Sequence, residues 1–184
     1  MCLTRDHRTP ITVLTGLTAA ASLCSSKWGD HAMRNVYRVL AFALAGLVLV
    51  QAMAIAYALA GLGYWISEEG GVLNKAAMDS ESLDFNGIGG FIVHGMNGMM
   101  VIPVVTLLLL IVSFFAKVPG GTKRAAILLG LVVLQVVLGI MSHSIPYAIM
   151  LHALNAFAIF SMAALAGWRV RTLADTRVEA TAGV

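Results

Sequence analysis

The sequence predicts an all-α integral membrane protein, a four-helix bundle built from two parallel helical-hairpin repeats. Three observations carry that prediction. Of 184 residues, 59% are hydrophobic and only 11% are charged. Four apolar stretches are long enough to cross a bilayer. The same short motifs recur in each half. Soluble domains carry roughly 25% charged residues, so a chain this poor in charge cannot cover a water-facing surface. Its expected solvent and first partner is the lipid bilayer. The net charge of +3 comes from basic residues scattered in short clusters. That pattern fits membrane orientation and argues against nucleic-acid binding.

A bilayer core of about 30 Å needs roughly 20 apolar residues per helix. The spans are expected at about 36–62, 91–115, 125–141 and 147–170, the third being the shortest and open to a small extension beyond those limits, within a bundle covering 33–171. In hydrocarbon every backbone amide needs an internal partner, which selects helices over isolated strands. Arg34 and Arg38 precede the first span. Lys117, Lys123 and Arg124 fill the turn between the second and third. Arg169, Arg171 and Arg177 close the fourth and lead into a tail at 172–184. The loop after the first span carries Glu68, Glu69, Asp79, Glu81 and Asp84 against one lysine, Lys75. The loop "SHSIPY" between the third and fourth has no charge beyond His143 as an imidazolium. Lys and Arg favour the cytoplasmic side, so both termini are expected in the cytoplasm of a multi-pass cell-membrane protein.

Residues 1–32 form a preceding segment. "TPITVLTGLTAAASLC" after Arg5 and Arg8 has some signal-peptide character. It is short for a span, and cleavage after it would put Lys27, Arg34 and Arg38 outside. It is therefore expected to be a loosely ordered or surface-lying cytoplasmic extension. Both cysteines, Cys2 and Cys24, fall within it, so no disulfide framework or thiolate metal site is expected.

"GLVLVQ" (Gly46–Gln51) lies in the first span and "GLVVLQ" (Gly130–Gln135) in the third. "HGMN" from His94 lies in the second and "HALN" from His152 in the fourth. Each half thus runs Gly-Leu-Val-x-x-Gln on one helix and His-x-x-Asn on the next. An even number of helices per half makes the repeat parallel, with a pseudo-two-fold axis along the membrane normal. Such an axis brings His94 and His152 to equivalent depth on opposite sides of the bundle centre. At 1.5 Å per residue both would sit roughly 5–8 Å below the outer apolar boundary.

A single membrane histidine commonly ties helices together by hydrogen bonding. Two that face one another can instead ligate one metal axially, with a flat macrocycle between them. The macrocycle needs room, and the flanking positions Gly95, Gly98, Ala153 and Ala156 are small. Small residues also allow tight helix packing, so that alternative stands. Asn97 and Asn155, one turn beyond each histidine, are expected to hydrogen-bond in the same region. Zinc favours a fuller tetrahedral set, and no third buried ligand is evident. Gln51 and Gln135 are expected to bond between helices or to line the pocket. Met96, Met99 and Met100 read as flexible apolar filler.

"LVVLQVVLGIMSHSIPYAIMLHALNAFAIF" resembles the third and fourth helices of a four-helix half of haem A synthase. The resemblance implies a bundle that holds a haem through one histidine on helix two and one on helix four, here His94 and His152. It covers the last two helices best. The chain departs from that family in having one bundle rather than two. It also lacks a glutamate shortly before His94 and an outer-loop cysteine pair. The haem-holding scaffold is what carries over, while oxidation of a haem methyl does not follow. Small four-helix bacterial membrane proteins look similar too.

The expected function is bis-His binding of haem b near the outer face, for electron transfer or haem handling in a respiratory system. A respiratory protein, a quinone or a second copy would complete the electron path. The alternative is a membrane subunit or assembly factor without a cofactor. A small transporter or channel would place more polar residues at mid-membrane depth.

Overall fold

The computed structural model describes residues 10–79 and 83–182, and side chains within 31–79 and 83–170. Six α-helices are described: α1 (Pro10–Ser67), α2 (Lys75–Asp79), α3 (Ile88–Met96), α4 (Ile102–Phe115), α5 (Gly121–Met141) and α6 (Ala148–Ala182). No strand occurs among the described residues. Among the described residues four spans are long and apolar enough to cross a membrane: His31–Ser67, Ile88–Phe115, Gly121–Met141 and Ala148–Val170. The shortest has 21 residues, about 31 Å of helix, which matches the bilayer core.

Residues 1–9 of the 1–32 segment, including Cys2, lie outside the described residues, as do 183–184 of the tail. From Pro10 onward the backbone continues the helix of the first span. The third span starts at Gly121 rather than near residue 125. Lys123 and Arg124, expected in the turn, lie instead in its first helical turn. Charge alone does not end a helix, and Arg124 Nη1 donates to Pro119 O at 3.2 Å.

The second span is interrupted. A π-turn at Asn97–Val101 joins α3 to α4, and the Ile102 amide donates to Asn97 O, five residues back. Pro103 follows directly. It has no N–H and crowds the carbonyl four residues earlier, at Met99. A widened turn relieves that conflict.

Helix α1 packs on α3 and α4 on one side and on α6 on the other, and α5 packs on α4 and α6. The spans therefore form a closed square. The second and fourth face each other along a diagonal, as do the first and third. Lipid tails are as apolar as leucine, so burial alone does not drive such helices together. Close contact and interhelical hydrogen bonds do. Gly90 provides one close contact: a Cβ there would press on Ala54 O and lie 3.0 Å from Ala58 N and Cβ. Gly87 opens α3 at φ 119°, beneath Tyr57 O, where a side chain would be strained.

The apolar core fills the half of the bundle nearer the termini. Tyr37, Leu44, Leu109, Leu128, Val132 and Ile159 are fully buried there. The α4–α5 turn is fastened to α1 at that end. Arg34 Nε donates to Ala116 O at 3.3 Å, and Tyr37 Oη to Gly121 O at 3.3 Å. At the other end the loop after α1 folds back. Phe85 is buried against Trp65, with ring centroids 6.0 Å apart, and meets Phe91 edge-on at 6.2 Å. Large apolar side chains such as Met53, Tyr57, Met96, Met100 and Phe157 point outward. That outward apolar face belongs in lipid.

Candidate functional site

His94 lies six residues into the second span and His152 four residues into the fourth. At 1.5 Å per residue they stand roughly 6–9 Å from the loop ends of their helices. Although their helices are diagonal, the two rings meet near the bundle centre. Their centroids are 6.2 Å apart and their planes are inclined by 48°.

Each ring is anchored to the preceding span rather than to its opposite number. His94 Nδ1 lies 3.1 Å from Gln51 O, and His152 Nδ1 lies 3.1 Å from Gln135 O. A carbonyl oxygen only accepts, so both Nδ1 atoms carry the proton and donate. Nε2 is then the nitrogen with a lone pair on each ring.

The asparagines hold the same helices together one turn further in. Asn97 Nδ2 donates to Leu47 O at 3.2 Å, and Asn155 Nδ2 to Leu131 O at 2.9 Å. Leu47 stands four residues before Gln51, and Leu131 four before Gln135. Both asparagines are buried. The glutamine side chains differ. Gln51 Nε2 donates to His94 O at 3.0 Å. Gln135 Oε1 accepts from Asn155 Nδ2 at 2.7 Å.

No family model, curated protein or solved structure matches this chain. The chemistry of the site therefore rests on its own residues.

The small flanking residues occupy distinct places. Gly95 and Ala153 are exposed, and a Cβ at Gly95 would meet nothing within 4 Å. Gly98 is half-buried and makes room for the Gln51 amide. Ala156 is half-buried. Gly139, which the motif reading did not single out, lies against the His152 ring. A Cβ there would come 3.2 Å from Cε1. His143 is exposed, and its Nδ1 lies 3.2 Å from Ile140 O of its own turn.

The apolar core stops short of this layer. Its buried cluster has no member between Ala45 and Ile102, nor between Val132 and Ile159. Buried Asn97 and Asn155 lie in those intervals, together with the apolar Ala58, Phe85, Leu138 and Ala148, which are buried outside the cluster. Among the described residues no group of three or more His, Cys, Asp or Glu is placed to hold a metal ion. Any metal here would depend on the two imidazoles plus ligands that it brings with it.

Proposed function

We propose that the chain holds one b-type haem between His94 and His152, for electron transfer or haem handling. The observation that carries this is the 6.2 Å separation of the ring centroids. Metal–nitrogen bonds of about 2 Å, added to the size of an imidazole, put two axial rings about 6 Å apart, centre to centre. The Nδ1 donations to Gln51 O and Gln135 O are the usual outer support for ligating histidines: they fix the tautomer and make Nε2 more basic. The fully buried members of the main apolar cluster end before this layer.

A haem held by His94 and His152 would supply a one-electron iron couple, which suits electron transfer better than oxygen chemistry. The protein's share is to orient the rings, to keep water away and to set the potential. A site near one face needs a further carrier, such as a respiratory protein, a quinone or a second copy. The matching contacts of His94 and Asn97 with α1, and of His152 and Asn155 with α5, support a duplicated hairpin. The distribution of Lys and Arg supports cytoplasmic termini.

A second reading is a cofactor-free membrane subunit or assembly factor. The same hydrogen bonds favour it when taken alone, because each ties one helix to its neighbour. The visible spectrum separates the two. Protein purified after expression with haem supply is expected to show a Soret band and sharpened reduced bands. Both are expected to disappear in His94→Ala and in His152→Ala variants that keep the wild-type elution profile. A colourless wild-type protein refutes the haem reading.

A further inference from the structure

We infer that Gln51 and Asn97 form a site for a hydroxyl donor beside His94, with no equivalent beside His152. Two buried side-chain oxygens, Gln51 Oε1 and Asn97 Oδ1, accept no hydrogen bond from the described residues. Asn97 is only 7% exposed. Reversing either amide does not help. Gln51 Nε2 faces His94 O and Asn97 Nδ2 faces Leu47 O. A reversal would set an oxygen against a carbonyl, which cannot donate. Both free oxygens are therefore true acceptors, and leaving such atoms unpaired in an apolar layer is costly.

The other half closes the corresponding gap by itself, because Asn155 Nδ2 reaches Gln135 Oε1 at 2.7 Å. In the first half both amide groups are committed elsewhere. Asn97 also opens the π-turn, and π-turns inside α-helices recur at functional sites. What the two oxygens lack is a hydrogen. In lipid an O–H group can come from a trapped water, which fits sites with two or more unsatisfied polar groups, or from the hydroxyl of a lipid-soluble quinol. This inference rests on hydrogen-bond accounting and is independent of the haem.

The test uses the full chain in phosphatidylcholine nanodiscs, with infrared spectra recorded in ordinary and oxygen-18 water. An O–H stretch that shifts with the isotope in wild type and Asn155→Leu, and is lost in Asn97→Leu, identifies water. Without such a band, tetramethylhydroquinone is added. A rise in melting temperature for wild type that Asn97→Leu lacks identifies a quinol hydroxyl. Should Asn97→Leu not fold, Gln51→Leu takes its place. Neither signal in wild type, or signals unchanged in the variants, overturns the site. Haem content is read separately from the Soret band, so loss of one proposal leaves the other standing.

Discussion

Gly139 offers a graded test of how His152 is held. A Cβ at Gly139 would lie 3.2 Å from His152 Cε1 and 3.4 Å from Nδ1. Alanine fits if the ring yields by a few tenths of an ångström. The Nδ1···Gln135 O bond is 3.1 Å long and survives a shift of about 0.4 Å before it passes the hydrogen-bond limit. Gly139→Ala is therefore expected to cost under about 1 kcal/mol and to leave the ring anchored. Valine adds two methyl groups where the imidazole now sits. Overpacking costs about 1–3 kcal/mol, and the lost interhelical bond adds about 0.6 kcal/mol. Gly139→Val is thus expected to lose about 2–4 kcal/mol and, on the proposed haem reading, to weaken or abolish the reduced bands. Gly130, on the same helix, has nothing within 4 Å of its Cβ position. Gly130→Ala should therefore change stability by no more than about 0.5 kcal/mol. Detergent-driven unfolding in mixed micelles measures the stabilities, and the visible spectrum reports on the ring. If Gly139→Val unfolds like wild type, the His152 ring does not rest against α5 and the site geometry is wrong.

Two further outcomes test the packing around the site. Asn155→Leu removes donations to Leu131 O and to Gln135 Oε1, and should destabilise the bundle by about 1–3 kcal/mol in the same unfolding assay. A loss under half the lower figure would contradict both bonds. Gly90→Ala forces α3 away from Ala54 and Ala58 and should cost about 1–3 kcal/mol. Gly46→Ala, which meets nothing within 4 Å, should be near neutral. Equal effects of the two would mean that α1 and α3 are not in close contact.

The four spans were legible because the bilayer imposes length and composition together. The histidine pair was legible because both halves repeat His-x-x-Asn after Gly-Leu-Val-x-x-Gln. What the pattern hid was the identity of the anchors. His94 and His152 donate to the main-chain carbonyls of Gln51 and Gln135. Every residue carries such a carbonyl, so spacing cannot single one out. Gly139 was hidden for a similar reason: its closeness to His152 depends on how α5 faces α6, and no glycine holds the corresponding place in the first half, where Ile55 follows Gln51 by four residues. The π-turn did have a signal in Pro103, inside an otherwise unbroken apolar run. The third span extends to Gly121 because Lys123 and Arg124 are tolerated in a helical first turn at the membrane edge, so basic residues alone do not mark the turn.

The separation of the two rings is set at a distance from the rings themselves. Each imidazole is fixed to the helix before it in sequence, His94 to α1 and His152 to α5. No hydrogen bond among those described joins one ring to the helix that carries the other. The gap between the rings therefore follows from how the two hairpins lie against one another. That arrangement is governed by α1 on α6 and α4 on α5, through Leu44, Leu109, Leu128 and Ile159 in the core nearer the termini. Close-packed interiors transmit displacement rather than absorb it. The apolar half of the bundle thus acts as a rigid spacer that sets the distance between the rings. The hydrogen bonds of His94, Asn97, His152 and Asn155 to α1 and α5, rather than contacts between the rings, hold the two imidazoles in place.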